Sequence, residues 1–188
     1  MESNFKNVNV KILKDNPFKL LDNDWMLITA GNKESFNTMT ASWGTFGILW
    51  NKPIAIAFIR PQRYTYKFIN EADFFTLSFF TEKYREALNY IGSHSGKTID
   101  KIANTGLTPV STEHGNVYFT ESRLVMECKK LYVDDIKPDN FEITSLIKNI
   151  YPSNDFHRFF IGEIVQCLST DPILQEKDIK LDEEGDLI

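Results

Sequence analysis

A chain of 188 residues, 42% hydrophobic and 13% aromatic, has ample material for a packed core and is not a disordered chain. Its formal charge of −5, with Lys and Arg scattered rather than clustered, argues against a general nucleic-acid binder, which needs a basic face to release counterions. No apolar run reaches the roughly 20 residues of a membrane-spanning helix.

Fifteen Phe, seven Tyr and three Trp against nine Gly point to large flat side chains packed on strands. Met26–Gly31 (MLITAG) is a short apolar run closed by glycine, and Ser35–Trp43 (SFNTMTASW) alternates small polar with apolar residues. Ile54–Arg60 (IAIAFIR) reads as a buried strand introduced by Asn51-Lys52-Pro53. Thr65–Ala72 then reads as a helix opened by a capping threonine. Phe74–Phe80 (FFTLSFF) is a further strand. Thr81–Gly92 places Tyr84, Leu88 and Ile91 at helical spacing with Gly92 as the stop, and Thr98–Gly106 reads as a short helix bounded in the same way. In Arg123–Val133, Leu124, Met126 and Cys128 share one face while Glu127 and Lys129 share the other, the period of a half-buried strand. Ile143–Ile150 suggests another helix, Phe156–Leu168 a last long strand, and Gln175–Ile188 an acidic peripheral arm or edge strand.

Many strands with a few short helices in their crossings predict a mainly β fold, a closed or partly closed barrel rather than a parallel βαβ sheet. One domain is expected, with its core over residues 20–170 and the acidic arm beyond. The N-terminal stretch has no signal-peptide core, so the cytoplasm is the expected location, with Cys128 and Cys167 as reduced, buried thiols.

Three stretches carry residues suited to chemistry. In Arg60-Pro-Gln-Arg-Tyr64-Thr65-Tyr66 a strand ends, the chain turns and a helix starts, which presents backbone N–H groups beside a guanidinium. That is an anion site, with the Tyr64 and Thr65 hydroxyls completing it; a sheet-edge Arg60 and a plain helix cap at Thr65 are the other reading. In Asn37-Thr38-Met39-Thr40-Ala41-Ser42-Trp43 a strand puts Thr38, Thr40 and Ser42 on one face. Such a hydroxyl-lined face suits the polar edge of a flavin, and equally suits a Thr-rich edge strand. Ser93-His94-Ser95-Gly96-Lys97-Thr98-Ile99-Asp100-Lys101 offers small residues and cations for a second phosphate contact or a closing loop, or simply a solvated helix end. There is no Walker A spacing and no GxGxxG. His157, where the last strand starts, suits a residue that faces a flavin ring or donates a proton near it, and equally a partly buried structural histidine, while His114 in its turn is expected to face solvent.

The order MLITAG, NTMTASW, NKPIAIAFIRPQRYTYKFI, FFTLSFF, SGKTIDKIANTGL, LVMECK and HRFFIGEI resembles the flavin reductase-like family, which includes flavoredoxins and NAD(P)H:flavin oxidoreductases. The resemblance runs from about Asp24 to Leu168 and is most specific in the NxMTASW strand and the RxxxYT turn. It implies a Greek-key split β-barrel that dimerises, with FMN in a groove at the subunit interface. Asn37, Thr38, Met39, Thr40, Ala41, Ser42 and Trp43 would then line the flavin, and Arg60, Tyr64 and Thr65 would hold its phosphate. Ser95, Gly96 and Lys101 would lie near the cofactor, and His157 near the ring or substrate. Ile143–Ser153 is extra length relative to that pattern. The implied function is an NAD(P)H-dependent flavin reductase passing electrons to free flavin, a ferric complex or a partner protein. A flavoredoxin-type carrier without its own NAD(P)H site shares every motif, and a non-catalytic small-molecule-binding barrel is the third reading.

Overall fold

The computed structural model describes residues 5–171, so the expected acidic arm at Gln175–Ile188 lies outside the described residues. Eight strands form one antiparallel sheet. In chain order they are β1 (Lys6–Asn7), β2 (Met26–Asn32), β3 (Ser35–Ala41), β4 (Gly44–Leu49), β5 (Lys52–Ile59), β6 (Phe74–Phe79), β9 (Leu124–Asp135) and β10 (Arg158–Ser169). A hairpin of β7 (Pro109–Ser111) and β8 (Val117–Phe119) stands apart as a second sheet. Three short helices cross between strands: α1 (Thr65–Glu71), α2 (Arg85–Ser93) and α3 (Ser145–Ile150).

The strand order β3-β2-β6-β9-β10-β5-β4, with β1 on β10, makes the expected split barrel. Its two edges, β3 and β4, are consecutive in the chain and are joined only through Ser42 and Trp43. The split therefore opens along β3, and that position decides where a ligand finds unpaired backbone. Inside, Phe75, Phe79, Phe160, Met126 and Ile59 share one buried cluster, each worth about 1.5–3 kcal/mol in area removed from water. Gly162 lies opposite Phe75 and Cys128; a Cβ there would come within 2.8 Å of both, so the ring of Phe75 needs the missing side chain. Cys128 and Cys167 are free and buried, as expected, and burial pushes the Cys167 thiol up to about 12.

The expected strands all form. Two expectations fail locally. Residues 98–106 make successive turns, not a helix, and the Asp100 carboxylate accepts from the N–H groups of Ile102 and Ala103 within them. Thr65 does not cap α1: the cap position is Tyr64 in helical conformation, without a side-chain cap bond, and Thr65 is fully buried.

Between β9 and β10 the chain makes a long excursion. The strands pair as far as Arg158 opposite Asp135, and residues 136–157 fold back over the end of β5. Phe141, Tyr151 and Phe156 pack ring on ring inside this excursion. It contains the extra length expected at Ile143–Ser153, and it bears on the site below.

Candidate functional site

β3 is an edge strand, paired only with β2. The carbonyl of Thr38 accepts from Lys101 Nζ at 2.6 Å and from Asn37 Nδ2 at 3.3 Å, so Thr38 turns its backbone away from β2. In an antiparallel ladder this orientation alternates, and Thr40 therefore also aims its N–H and C=O outward along the split. The close approach of the Thr29 and Thr38 hydroxyls, 2.9 Å, agrees with a non-hydrogen-bonded pair at that register.

The hydroxyls themselves face elsewhere. Thr38 Oγ1 donates to the Ile28 carbonyl and Thr40 Oγ1 to the Leu88 carbonyl of α2. The Thr38 and Thr40 hydroxyls of the expected face are thus spent on packing β3 against β2 and α2, while Ser42 lines the groove beside the outward backbone polar groups.

Four clefts run end to end beside this edge. The first, about 230 Å³, is lined by Met39 to Trp43, Phe58, Arg60, Arg63 and His157. Arg63 also lines a second, about 220 Å³, with Tyr64, Thr65, His94, Ser95 and Lys101. Tyr64 and Lys101 continue into a third of about 450 Å³, beside Asn37, Thr38 and Gly96. At the opposite end, Ser42, Trp43 and Phe58 are shared with a fourth cleft of apolar character. Every site residue expected from sequence therefore lines one of three neighbouring clefts that share wall residues.

The cations in this groove are not equivalent. Arg60 was expected to grip phosphate. It pairs instead with Asp155, donates to the Ile150 carbonyl at 2.9 Å and lies over the Tyr151 ring at 5.3 Å. Gln62 Nε2 donates to the same Asp155 carboxylate, which these contacts hold below the usual range. Arg60 is thus neutralised by the β9–β10 excursion.

Arg63, which the sequence reading passed over as a spacer in RxxxYT, has a different setting. It donates to the Gly92 carbonyl at 3.1 Å, and among the described residues no carboxylate pairs with it. Burial lowers its affinity for its proton. Lys101 is buried nearby, and burial together with the repulsion of Arg63 brings it down to about 8. Two buried cations in one cleft, neither paired with a carboxylate among the described residues, make a candidate anion site.

Packing holds Lys101 in place. Its ammonium donates to the Thr38 and Ile91 carbonyls, and Asn37 Nδ2 donates to Thr65 Oγ1 at 2.6 Å. Gly96 makes room for both: a Cβ there would stand 2.0 Å from Asn37 Oδ1 and 3.2 Å from Lys101 Cε. His94 lies at the rim, stacked on Tyr90 at 4.1 Å with Nδ1 donating to the Tyr90 carbonyl.

His157 is buried where β10 starts, its ring 4.8 Å from that of Trp43 and its Nδ1 sharing a hydrogen bond of 2.9 Å with the Tyr151 hydroxyl. Burial, then the Arg60 charge, brings its pKa down to about 4, so the ring is neutral at neutral pH. Tyr151 keeps its proton, pushed up chiefly by burial. Elsewhere, His114 is not the simple solvent-facing residue expected: Nδ1 lies 2.8 Å from the fully buried Glu127 carboxylate. No group of side chains among the described residues has the makings of a metal site.

Comparison with known proteins agrees with the fold. The flavoredoxin of Desulfovibrio vulgaris (Miyazaki F) is 26% identical with a TM-score of 0.60, over 87% of this chain and 75% of that one. An FMN-binding domain of a flavin reductases-like enzyme from Shewanella baltica OS155 is 18% identical with a TM-score of 0.65, over 90% and 79%. An FMN-binding protein from Thermus thermophilus, solved with 1-cyclohex-2-enone, is 20% identical with a TM-score of 0.63, over 97% and 83%. No curated protein matches the sequence. The flavin reductase like domain matches residues 20–177, and the chain belongs to that family of flavin-related oxidoreductases.

Proposed function

We propose that the groove along β3 holds FMN, with the ring system against Met39–Trp43 and the phosphate between Arg63 and Lys101. The observation that carries this reading is the cation pair without a paired carboxylate, in a cleft that shares Arg63 with the aromatic-lined cleft beside it. The residues fit the cofactor at three points. The outward backbone of Thr40 suits the polar edge of the ring, Gly96 clears the cradle in which Asn37 and Lys101 meet, and the Arg63–Lys101 cleft is of the right sign for a phosphate.

When bound, FMN supplies hydride or electron transfer at its ring. The chain's part is to orient and to tune. Arg63 and Lys101 fix the phosphate end, with Tyr64, Thr65 and Ser95 around it. Thr40 presents backbone dipoles along the ring edge, and Trp43 and Phe58 bound the ring cleft. His157 contributes a neutral ring, and its Nδ1 contact with Tyr151 fixes its orientation. No acid or base has to be charged for this chemistry.

An NAD(P)H-dependent flavin reductase that passes electrons to free flavin, a ferric complex or a partner protein is one completion of this reading. A flavoredoxin-type carrier is the other, favoured by the ring end, where Arg60 is already neutralised and so offers little to a dinucleotide's phosphates. The absorbance spectrum of the purified protein tests the shared part, and a colourless protein that takes up no FMN refutes it. Anaerobic NADH or NADPH then separates the two: rapid bleaching supports the reductase, an unresponsive flavin the carrier.

We also propose a homodimer. The exposed Ile48, Trp50, Leu131 and Tyr132, with Trp50 and Tyr132 in edge contact at 6.5 Å, make an apolar outer face on β4, the turn after it and β9. Sedimentation should give a mass near twice 21.8 kDa, and a Trp50→Glu, Tyr132→Glu variant should sediment as the monomer.

A further inference from the structure

The fourth cleft, about 390 Å³, has no part in holding a flavin phosphate, yet it opens directly from the ring end through Ser42, Trp43 and Phe58. Its remaining walls are Phe18, Leu21, Gly44, Ile136 and Tyr151, with Asp22 at the side. The size is within the roughly 300–1,000 Å³ of small-molecule sites. Phe18 is 81% exposed and Trp43 is 44% exposed, so two aromatic side chains present bare surface at the mouth.

The charge around this cleft is unlike that of the phosphate end. Among the described residues no Lys or Arg lines it, and Asp22 is its only carboxylate. Two cations line the adjoining cleft: Arg60 is paired with Asp155, and Arg63 is the residue the FMN reading assigns to the phosphate. Tyr151 and His157 are both neutral at neutral pH. An anionic group entering here would lose its water without gaining a counter-charge. A flat apolar molecule would lose little and would bury the exposed faces of Phe18 and Trp43.

We propose that the cleft bounded by Phe18, Trp43, Ile136 and Tyr151 is the subsite for the flavin's reaction partner, and that it selects an uncharged, planar, largely apolar molecule of one or two fused rings. This rests on the FMN reading above. Beside Trp43 of the β3 motif, it assigns the selection to Phe18 from the start of the barrel and to Ile136 and Tyr151 of the β9–β10 excursion, none of which lies in a sequence motif. A dinucleotide donor that relies on phosphate contacts is disfavoured in the same cleft, by the same charge argument.

The test uses the flavin-loaded protein and a matched pair of probes, 1,4-naphthoquinone and its 2-sulfonate, which share a ring system and differ by one negative charge. Each is titrated while the visible flavin band is followed. The parent quinone should perturb the band and bind at least about tenfold more tightly than the sulfonate, equivalent to about 1.4 kcal/mol. Phe18→Arg places a cation on an exposed position at the mouth, and the preference should swing toward the sulfonate by about tenfold or more. Equal binding of the two probes overturns the proposal, as does a preference that Phe18→Arg leaves untouched. So does a quinone-blind protein whose dimer dissociates in Phe18→Arg, because a second copy then covers the cleft. Failure of the FMN reading shows separately, as a protein that takes up no flavin before any quinone is added. In that event quenching of Trp43 emission by the quinone, lost in Trp43→Phe, still reports whether the cleft is filled.

Discussion

The two ends of the groove hold comparable sets of residues and use them in opposite ways. At one end, among the described residues, no carboxylate pairs with Arg63 or Lys101, each destabilised by burial, and Lys101 further by Arg63. At the other, Arg60 is bound by Asp155, Ile150 and Tyr151, and His157 is neutral. The first end stores electrostatic energy that only an anion releases; the second has already discharged its own. Proximity to a cleft therefore says little about a cation's role, and the presence or absence of a partner carboxylate says a great deal.

The largest test of that contrast sets Arg63→Ala against Arg60→Ala. Removing Arg63 should weaken FMN binding by about 2–4 kcal/mol, the range for a charge-assisted contact to a buried phosphate. Removing Arg60 should cost less than about 1 kcal/mol in affinity and show mainly as lost stability, because Asp155 is left without its partner. Fluorescence titration of the apoprotein with FMN measures both. The reverse order would mean that Arg60 leaves Asp155 on binding, and the contrast between the ends would be gone.

Gly96→Ala comes next. Its Cβ would meet Asn37 Oδ1 at 2.0 Å, so Asn37 must move and loosen its bond to Thr65, or the loop must shift away from Lys101. Overpacking of this kind costs about 1–3 kcal/mol, and here it should appear in thermal stability and in FMN affinity together. Stability loss with unchanged affinity would separate the loop from the anion site.

The pH dependence follows from Lys101. Its proton is held with a pKa of about 8 in the protein, below the usual value for lysine, so in the window above 8 the unfolded chain keeps a proton that the folded chain has released. Folding stability thus gains from this group as pH rises through that window, while the anion site loses a charge. FMN affinity should fall about tenfold between pH 7 and pH 9, and Lys101→Gln should flatten the profile. A flat profile in the unsubstituted protein would remove Lys101 from the phosphate site.

Much of this was legible in the sequence, and the omissions share a cause. The strand at Ser35–Trp43 and the turn after Ile59 were readable because their signals are local: alternation, and a strand followed by a helix start. β4 was missed because GTFGIL holds two glycines and little alternation, and because its hairpin turns through Trp50 and Asn51, both at positive φ, with a tryptophan where Asn or Gly is the usual marker. The roles of Arg60 and Arg63 could not be told apart, since the deciding carboxylate, Asp155, lies 95 residues from Arg60. The hydroxyl face of β3 was correctly placed on the strand, but which groups α2 would consume depends on packing.

The smallest expected effect probes the neutral end. Tyr151→Phe removes one hydroxyl that shares a hydrogen bond with His157, and should cost about 0.5–1.5 kcal/mol of stability. It should leave the phosphate end unaffected, so FMN affinity should stay within about twofold of the parent. The same end has a signature of its own. With a pKa of about 4, His157 binds no proton in the folded state between that value and the usual 6.5, whereas the unfolded chain does. Its contribution to stability is therefore present above 6.5 and lost as pH falls toward 4. An NMR titration of the His157 ring should show no protonation down to about pH 5. A midpoint near 6.5 would mean that the ring is open to water, and the neutral end of the groove would have to be given up.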